Sequence, residues 1–111
     1  MPIPTGLYKL AFHSSYGDEY GVAVLTDDGR VRGGDSGMAY YGTFEQTGDA
    51  LRMSVSVTQH RHVPGVVSVL GYNEMVVELE GLAADGSAEL RGTSRQVPGV
   101  RFSARLSHLA D

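Results

Sequence analysis

Apolar and polar residues alternate with a period of two along most of this chain, and no long segment shows the 3.6-residue stripe of an amphipathic helix. The clearest run is 51–58, where Leu51, Met53, Val55 and Val57 alternate with Arg52, Ser54, Ser56 and Thr58. The rhythm returns at 100–107, with Val100, Phe102, Ala104 and Leu106 set against Arg101, Ser103, Arg105 and Ser107. Residues 75–80 put Met75, Val77 and Leu79 opposite Glu78 and Glu80, and 88–94 turn Leu90 inward between Glu89 and Arg91. In the first half, 7–13 places Tyr8, Leu10 and Phe12 on one face. Residues 20–26 are apolar throughout, 38–45 alternate Tyr40, Gly42 and Phe44 with Tyr41, Thr43 and Glu45, and a short strand fits 30–33. Strands with one wet and one dry face are antiparallel.

The connections agree. Asp28-Gly29 and Asp85-Gly86 are type I′ hairpin signals, Thr47-Gly48-Asp49 is a short loop of the same kind, and Pro98-Gly99 suits a type II turn. Glycine supplies 15 residues, about twice ordinary usage, set between short alternating runs rather than gathered into a linker. Val-Pro-Gly-Val at 63–66 and 97–100 reads as two turns, since nothing around either copy matches. The segment 59–71 lacks clear alternation, and its apolar stretch from Val66 to Leu70 fits a strand or a short helix equally well. Seven or eight short strands make an all-β chain, either a meandering barrel or a sandwich. An eight-stranded barrel is filled by side chains or holds one small ligand.

At 111 residues there is room for one domain, 1–111, with a core of its own. The absence of cysteine excludes disulfides, thiolate catalysis and cysteine-ligated zinc or iron–sulfur sites. Met1 to Thr5 carry neither a basic nor an apolar leader region, and no apolar run approaches the roughly 20 residues that span a bilayer, so a cytoplasmic location is expected. A net charge of −4 argues against direct nucleic-acid binding. Residues 1–50 carry three basic and seven acidic side chains, whereas 51–111 carry six of each. Arg91, Arg95, Arg101 and Arg105 follow one another with no acidic residue between them, which is either a local basic stripe or the solvated face of two neighbouring strands.

The catalytic candidates each have a simpler alternative. Gly34-Asp35-Ser36-Gly37 matches the tetrapeptide around the nucleophile of chymotrypsin-like proteases. Met38 stands where that family has glycine, however, and His13 is the only upstream histidine, so a glycine-rich turn held by Asp35 accounts for the segment. His60 and His62 have the spacing of two metal ligands on a strand, with His13 or His108 as distant third ligands. Beside Arg61 at the start of a loop they read as surface residues. Asp18-Glu19 and Asp27-Asp28 fall in expected turns, and Glu78 and Glu80 face water, so no carboxylate pair is placed for acid–base work. Tyr8, Phe12, Tyr40, Phe44 and Phe102 face inward with Met53, Val55 and Leu106, as core or as the lining of a cavity. There is no P-loop and no GxGxxG, and no cofactor or metal is expected. These residues describe a small non-enzymatic β domain.

Several segments together resemble the GrlR family, small bacterial proteins typified by a negative regulator of type III secretion genes. They are Gly6-Leu7-Tyr8 with Phe12, Gly21-Val22-Ala23-Val24-Leu25, Asp28-Gly29-Arg30-Val31-Arg32-Gly33-Gly34-Asp35 and Tyr41-Gly42-Thr43-Phe44. The likeness continues through 51–57, His60, Pro64, Ser68-Val69-Leu70 and 75–79, covering roughly the first 80 residues. Its most specific piece is Gly33, Gly34 and Asp35 with Tyr41 and Gly42. The resemblance implies an eight-stranded, up-and-down, lipocalin-like β-barrel that forms a homodimer and inhibits a helix-turn-helix transcriptional activator by binding it. The family's type member holds the activator with a Glu-Asp-Glu-Asp loop. The corresponding loop here, Glu45-Gln46-Thr47-Gly48-Asp49, keeps two carboxylates, Glu45 and Asp49, as the candidate partner-binding residues. A small hydrophobic ligand held inside the barrel is the alternative function.

Overall fold

The computed structural model describes residues 3–14, 17–61, 74–94, 99 and 101–111. Eight antiparallel strands follow one another around a closed barrel: β1 (Gly6–Ser14), β2 (Gly17–Leu25), β3 (Arg30–Gly34), β4 (Met38–Thr47), β5 (Ala50–Gln59), β6 (Glu74–Ala84), β7 (Ser87–Thr93) and β8 (Phe102–Ala110). β1 closes the sheet against β8, with Leu10 opposite Leu106 and Phe12 opposite Ala104. A bulge at Leu109 lies between the pairs Leu7–Ala110 and Tyr8–His108. Closure gives every strand a neighbour on both sides, so there is no free edge strand of the kind an open meander carries.

The period-two pattern sets the interior. Tyr8, Leu10 and Phe12 from β1, Leu51, Met53, Val55 and Val57 from β5, and Phe102, Ala104 and Leu106 from β8 all point inward and are buried. Each large side chain removed from water in this way contributes about 1.5–3 kcal/mol. The predicted inward aromatics are all on this face, with Phe44 partly buried against the rest. Phe12 stands edge-on to Tyr40, with centroids 5.5 Å apart, and lies 6.4 Å from Phe102.

Gly42 and Gly81 lie within strands on the inner face, Gly42 as its place in the 38–45 alternation implies and Gly81 just past the 75–80 run. At Gly42 an added Cβ would lie 1.9 Å from the Ser54 carbonyl oxygen, and at Gly81 it would lie 1.9 Å from that of Glu89. These two positions let β4 and β6 press against their neighbours where a small barrel must bend sharply.

The turns refine the expectations. Asp85 and Gly86 both have positive φ, 46° and 77°, as type I′ requires. Gly48, with φ 62°, and Asp49 form a two-residue loop between the partners Thr47 and Ala50, with glycine first as in type II′. Asp28-Gly29 departs from prediction, because only Gly29 has positive φ and the Gly29 amide donates to the Thr26 carbonyl at 3.1 Å. That is a type I turn followed by a glycine bulge. The Val-Pro-Gly-Val segments lie outside the described residues except for Gly99, whose φ of 88° fits the predicted type II turn. In the open segment 59–71, Gln59 ends β5, 60–61 form a bend, and the remainder lies outside the described residues.

Candidate functional site

The two ends of the barrel differ. The end carrying the β2–β3, β4–β5 and β6–β7 hairpins is sealed by the N-terminal segment. Ile3 is buried there, its amide donating to Gln46 Oε1 at 2.9 Å and its carbonyl accepting from Gln46 Nε2 at 3.1 Å. Tyr8 donates its hydroxyl to the Pro4 carbonyl and packs 5.1 Å from the His108 ring. His108 Nε2 lies 3.1 Å from the Asp111 carboxylate but is not aligned to hydrogen-bond with it. Burial, and secondarily the charge of Asp111, raise the Tyr8 hydroxyl above its ordinary pKa.

The opposite end gathers polar groups. Asp35 organises the β3–β4 turn, its Oδ1 accepting from the amides of Gly37 at 2.9 Å and Met38 at 2.7 Å while Oδ2 accepts from the Tyr40 hydroxyl. Burial, together with the hydrogen bond to Asp35 and its charge, pushes the Tyr40 hydroxyl well above the ordinary tyrosine range. Gly21 makes room for this ring, since a Cβ there would lie 2.9 Å from Tyr40 Cε2. Glu19, two residues earlier on the same face, is half-buried. Desolvation, then the charge of Asp35, raise its carboxyl from 4.5 to about 7.

This corrects two expectations. Asp18-Glu19 belong to β2 rather than to a turn, and one member of the pair lies on the inner face with a perturbed carboxyl. Parity with Gly21, Ala23 and Leu25 is the sequence signal that puts Glu19 on the inner face, and a strand that begins only at Tyr20 leaves it out.

The remaining chemistry-bearing residues stand apart. Ser36 is exposed, its hydroxyl has no partner among the described residues, and its carbonyl accepts from Arg61 at 3.4 Å. His60 Nε2 donates to the Asp35 carbonyl at 3.0 Å, while His62 lies outside the described residues. His13 pairs with Asp18 on the outer face. Asp28 accepts from the Thr26 hydroxyl and pairs with Arg30 at 3.2 Å, and the first of these contacts leads the lowering of its pKa. Glu78 and Glu80 face outward as expected. No group of three or more metal-ligating side chains forms among the described residues.

The residues that carry the resemblance have structural duties. Gly33 and Gly34 end β3 against neighbouring backbone, a Cβ on Gly33 lying 2.0 Å from the Val22 carbonyl, and Asp35 holds the turn that follows. Tyr41 is the exception, exposed on the outer face. Glu45 is exposed on β4 opposite Arg52, and Asp49 sits in the β4–β5 hairpin, where its carbonyl accepts from the Ala83 amide at 2.8 Å.

The outer face carries an apolar feature. Residues 20–26 are not buried on both sides, because Ala23 and Leu25 point inward while Tyr20, Val22 and Val24 are 61%, 44% and 39% exposed. Register places Val24 beside Leu7 and Arg32, and Arg32 beside Tyr41, which is itself 44% exposed. Arg32 is held flat by bonds to the carbonyls of Val31 at 2.8 Å and Gly42 at 3.4 Å. An apolar stripe therefore runs across β1 to β4. A continuous apolar run in a strand with one wet face is the sequence signal for it.

Among the described residues no helix is long and apolar enough to cross a membrane. In sequence, the chain matches no family model and no curated protein.

Proposed function

We propose that this protein is a non-enzymatic, GrlR-like regulator that acts in the cytoplasm as a homodimer and inhibits a helix-turn-helix transcriptional activator by binding it. The observation that carries the proposal is the solvent-facing apolar stripe of Tyr20, Val22, Val24 and Tyr41 on a barrel whose interior is occupied by its own side chains. The stripe holds four of the seven exposed large hydrophobics among the described residues, and an exposed apolar stripe suits protein contact. The net charge of −4 complements the basic surface with which an activator grips DNA. Glu45 and Asp49 remain the candidate acidic contacts.

Native mass spectrometry of protein purified gently from its own host tests this. A dimer that carries a DNA-binding polypeptide, and loses it in Val24→Asp, supports the proposal. A protein that co-purifies with no regulator refutes it.

The alternative, a small hydrophobic ligand inside the barrel, needs a void. Any void of water size leaves its lining accessible. Of the candidate lining, Tyr8, Tyr40 and Leu106 are no more than 1% exposed and Phe12, Met53, Val55 and Phe102 no more than 5%, and two large concavities among the described residues lie on the outer surface. Packing therefore favours the regulator.

A further inference from the structure

The larger outer concavity is a groove of about 1000 Å³ across the wet faces of β4 to β8 and β1. Its charges are mostly settled within the sheet. Glu78 Oε1 accepts from Ser54 at 3.1 Å and Glu80 pairs with Arg52 at 3.5 Å, so both β6 carboxylates lean toward β5 and away from β7. Glu89 pairs with Arg105 at 2.8 Å, and His13 is taken by Asp18.

Four donors in the same groove are left over. Arg91 and Ser103 are direct partners across β7 and β8, and carrying the register one step past Gly92–Phe102 sets Thr93 opposite Arg101. All four line the groove, and none has a hydrogen-bond or ionic partner among the described residues. Arg30, Arg52 and Arg105 each pair with a carboxylate, Arg32 and Arg61 bond carbonyls, and Lys9 lies over the Tyr20 ring. Register sets Glu80 opposite Arg91 and Glu78 opposite Thr93, but these carboxylates bond Arg52 and Ser54 on β5, so the guanidinium groups of Arg91 and Arg101, diagonal on adjacent strands, have no bonded anion of their own.

We infer that Arg91, Thr93, Arg101 and Ser103 form a binding site for a phosphate ester on the outer face of β7 and β8. Guanidinium forks bind phosphate oxygens in pairs, and the two hydroxyls supply donors from between them. A tetrahedral group with several acceptor oxygens matches donors arriving from both strands better than a planar carboxylate does. The groove is much larger than one phosphate, so the organic part of the ester lies along it toward β6 and β5. The site is on the wet face, separate from the apolar stripe on β1 to β4, and does not depend on the regulatory proposal.

The test is a titration of ¹⁵N-labelled protein with glycerol 3-phosphate at neutral pH, followed by amide chemical shifts. Expected are saturable shifts centred on Arg91, Thr93, Arg101 and Ser103, with a Kd on the order of millimolar, raised about tenfold by Arg91→Gln or Arg101→Gln. Arg30→Gln, outside the groove, leaves the Kd unchanged. A second arm pellets the protein with phosphatidylglycerol vesicles. Pelleting that Arg91→Gln abolishes makes a lipid headgroup the source of the phosphate, whereas binding confined to glycerol 3-phosphate makes it a soluble ester. All three arginines are exposed, so the variants should melt with the parent, which the same samples verify. Shifts spread evenly over the surface cations, shifts unaltered by Arg91→Gln, or no binding in either arm would overturn the site.

Discussion

Replacing Glu19 by glutamine should stabilise the protein at pH 8 and leave it nearly unchanged at pH 4.5. The native carboxyl titrates at about 7 against an ordinary 4.5, because burial and the Asp35 charge both disfavour ionisation. Between those values the folded state keeps a proton that the unfolded state has released. Stability therefore falls as pH rises through this window and is level above it. The gap of about 2.5 in pH, at about 1.4 kcal/mol each, sets a ceiling of about 3.4 kcal/mol. Glu19 is only half-buried, and water screens much of that, leaving about 1–2 kcal/mol. Glutamine has no charge to desolvate and escapes the loss. Paired urea melts of parent and Glu19→Gln from pH 4.5 to 8 isolate the effect, since titrating groups that do not interact with Glu19 cancel in the difference. A difference that does not change with pH, or one favouring the parent at pH 8, would refute the account of Glu19 as a carboxyl penalised by its place inside the barrel mouth.

The interior glycines predict a contrast. Gly81→Ala sets a Cβ 1.9 Å from the Glu89 carbonyl and should cost about 3 kcal/mol or more in thermal melts, whereas Gly48→Ala meets nothing within 4 Å and should cost about 1 kcal/mol for its φ of 62°. Asp35→Ala strands two turn amides and the Tyr40 hydroxyl, an expected loss of about 2–4 kcal/mol, of which adding Tyr40→Phe should recover part in a double-mutant cycle. Gln46→Ala unties Ile3, and hydrogen exchange should show the Ile3 amide losing protection with a destabilisation of about 1–2 kcal/mol.

Alternation between adjacent residues is a local property, because the strand backbone sends successive side chains to opposite faces whatever lies across from them. The sequence alone therefore determined a succession of seven or eight short antiparallel strands, the inward set from Tyr8 to Leu106 and the tight hairpin at Asp85-Gly86. It also supplied Asp35 as the organiser of the turn around Ser36. What it left open between barrel and sandwich depends on β1 meeting β8, a pairing of residues some ninety positions apart, of which local pattern carries no trace. Tertiary structure likewise decided that Gly42 and Gly81 are corners, since only a neighbouring carbonyl makes a Cβ intolerable there. It exposed Tyr20, Val22 and Val24, because hydrophobicity records what a side chain prefers and not whether a barrel wall has a second layer outside it. It moved Glu19 beside Asp35 and Tyr40, and it left Arg91 and Arg101 without carboxylates by turning Glu78 and Glu80 toward β5. Charge environment is a sum over neighbours in space, and only the closed sheet says which neighbours those are.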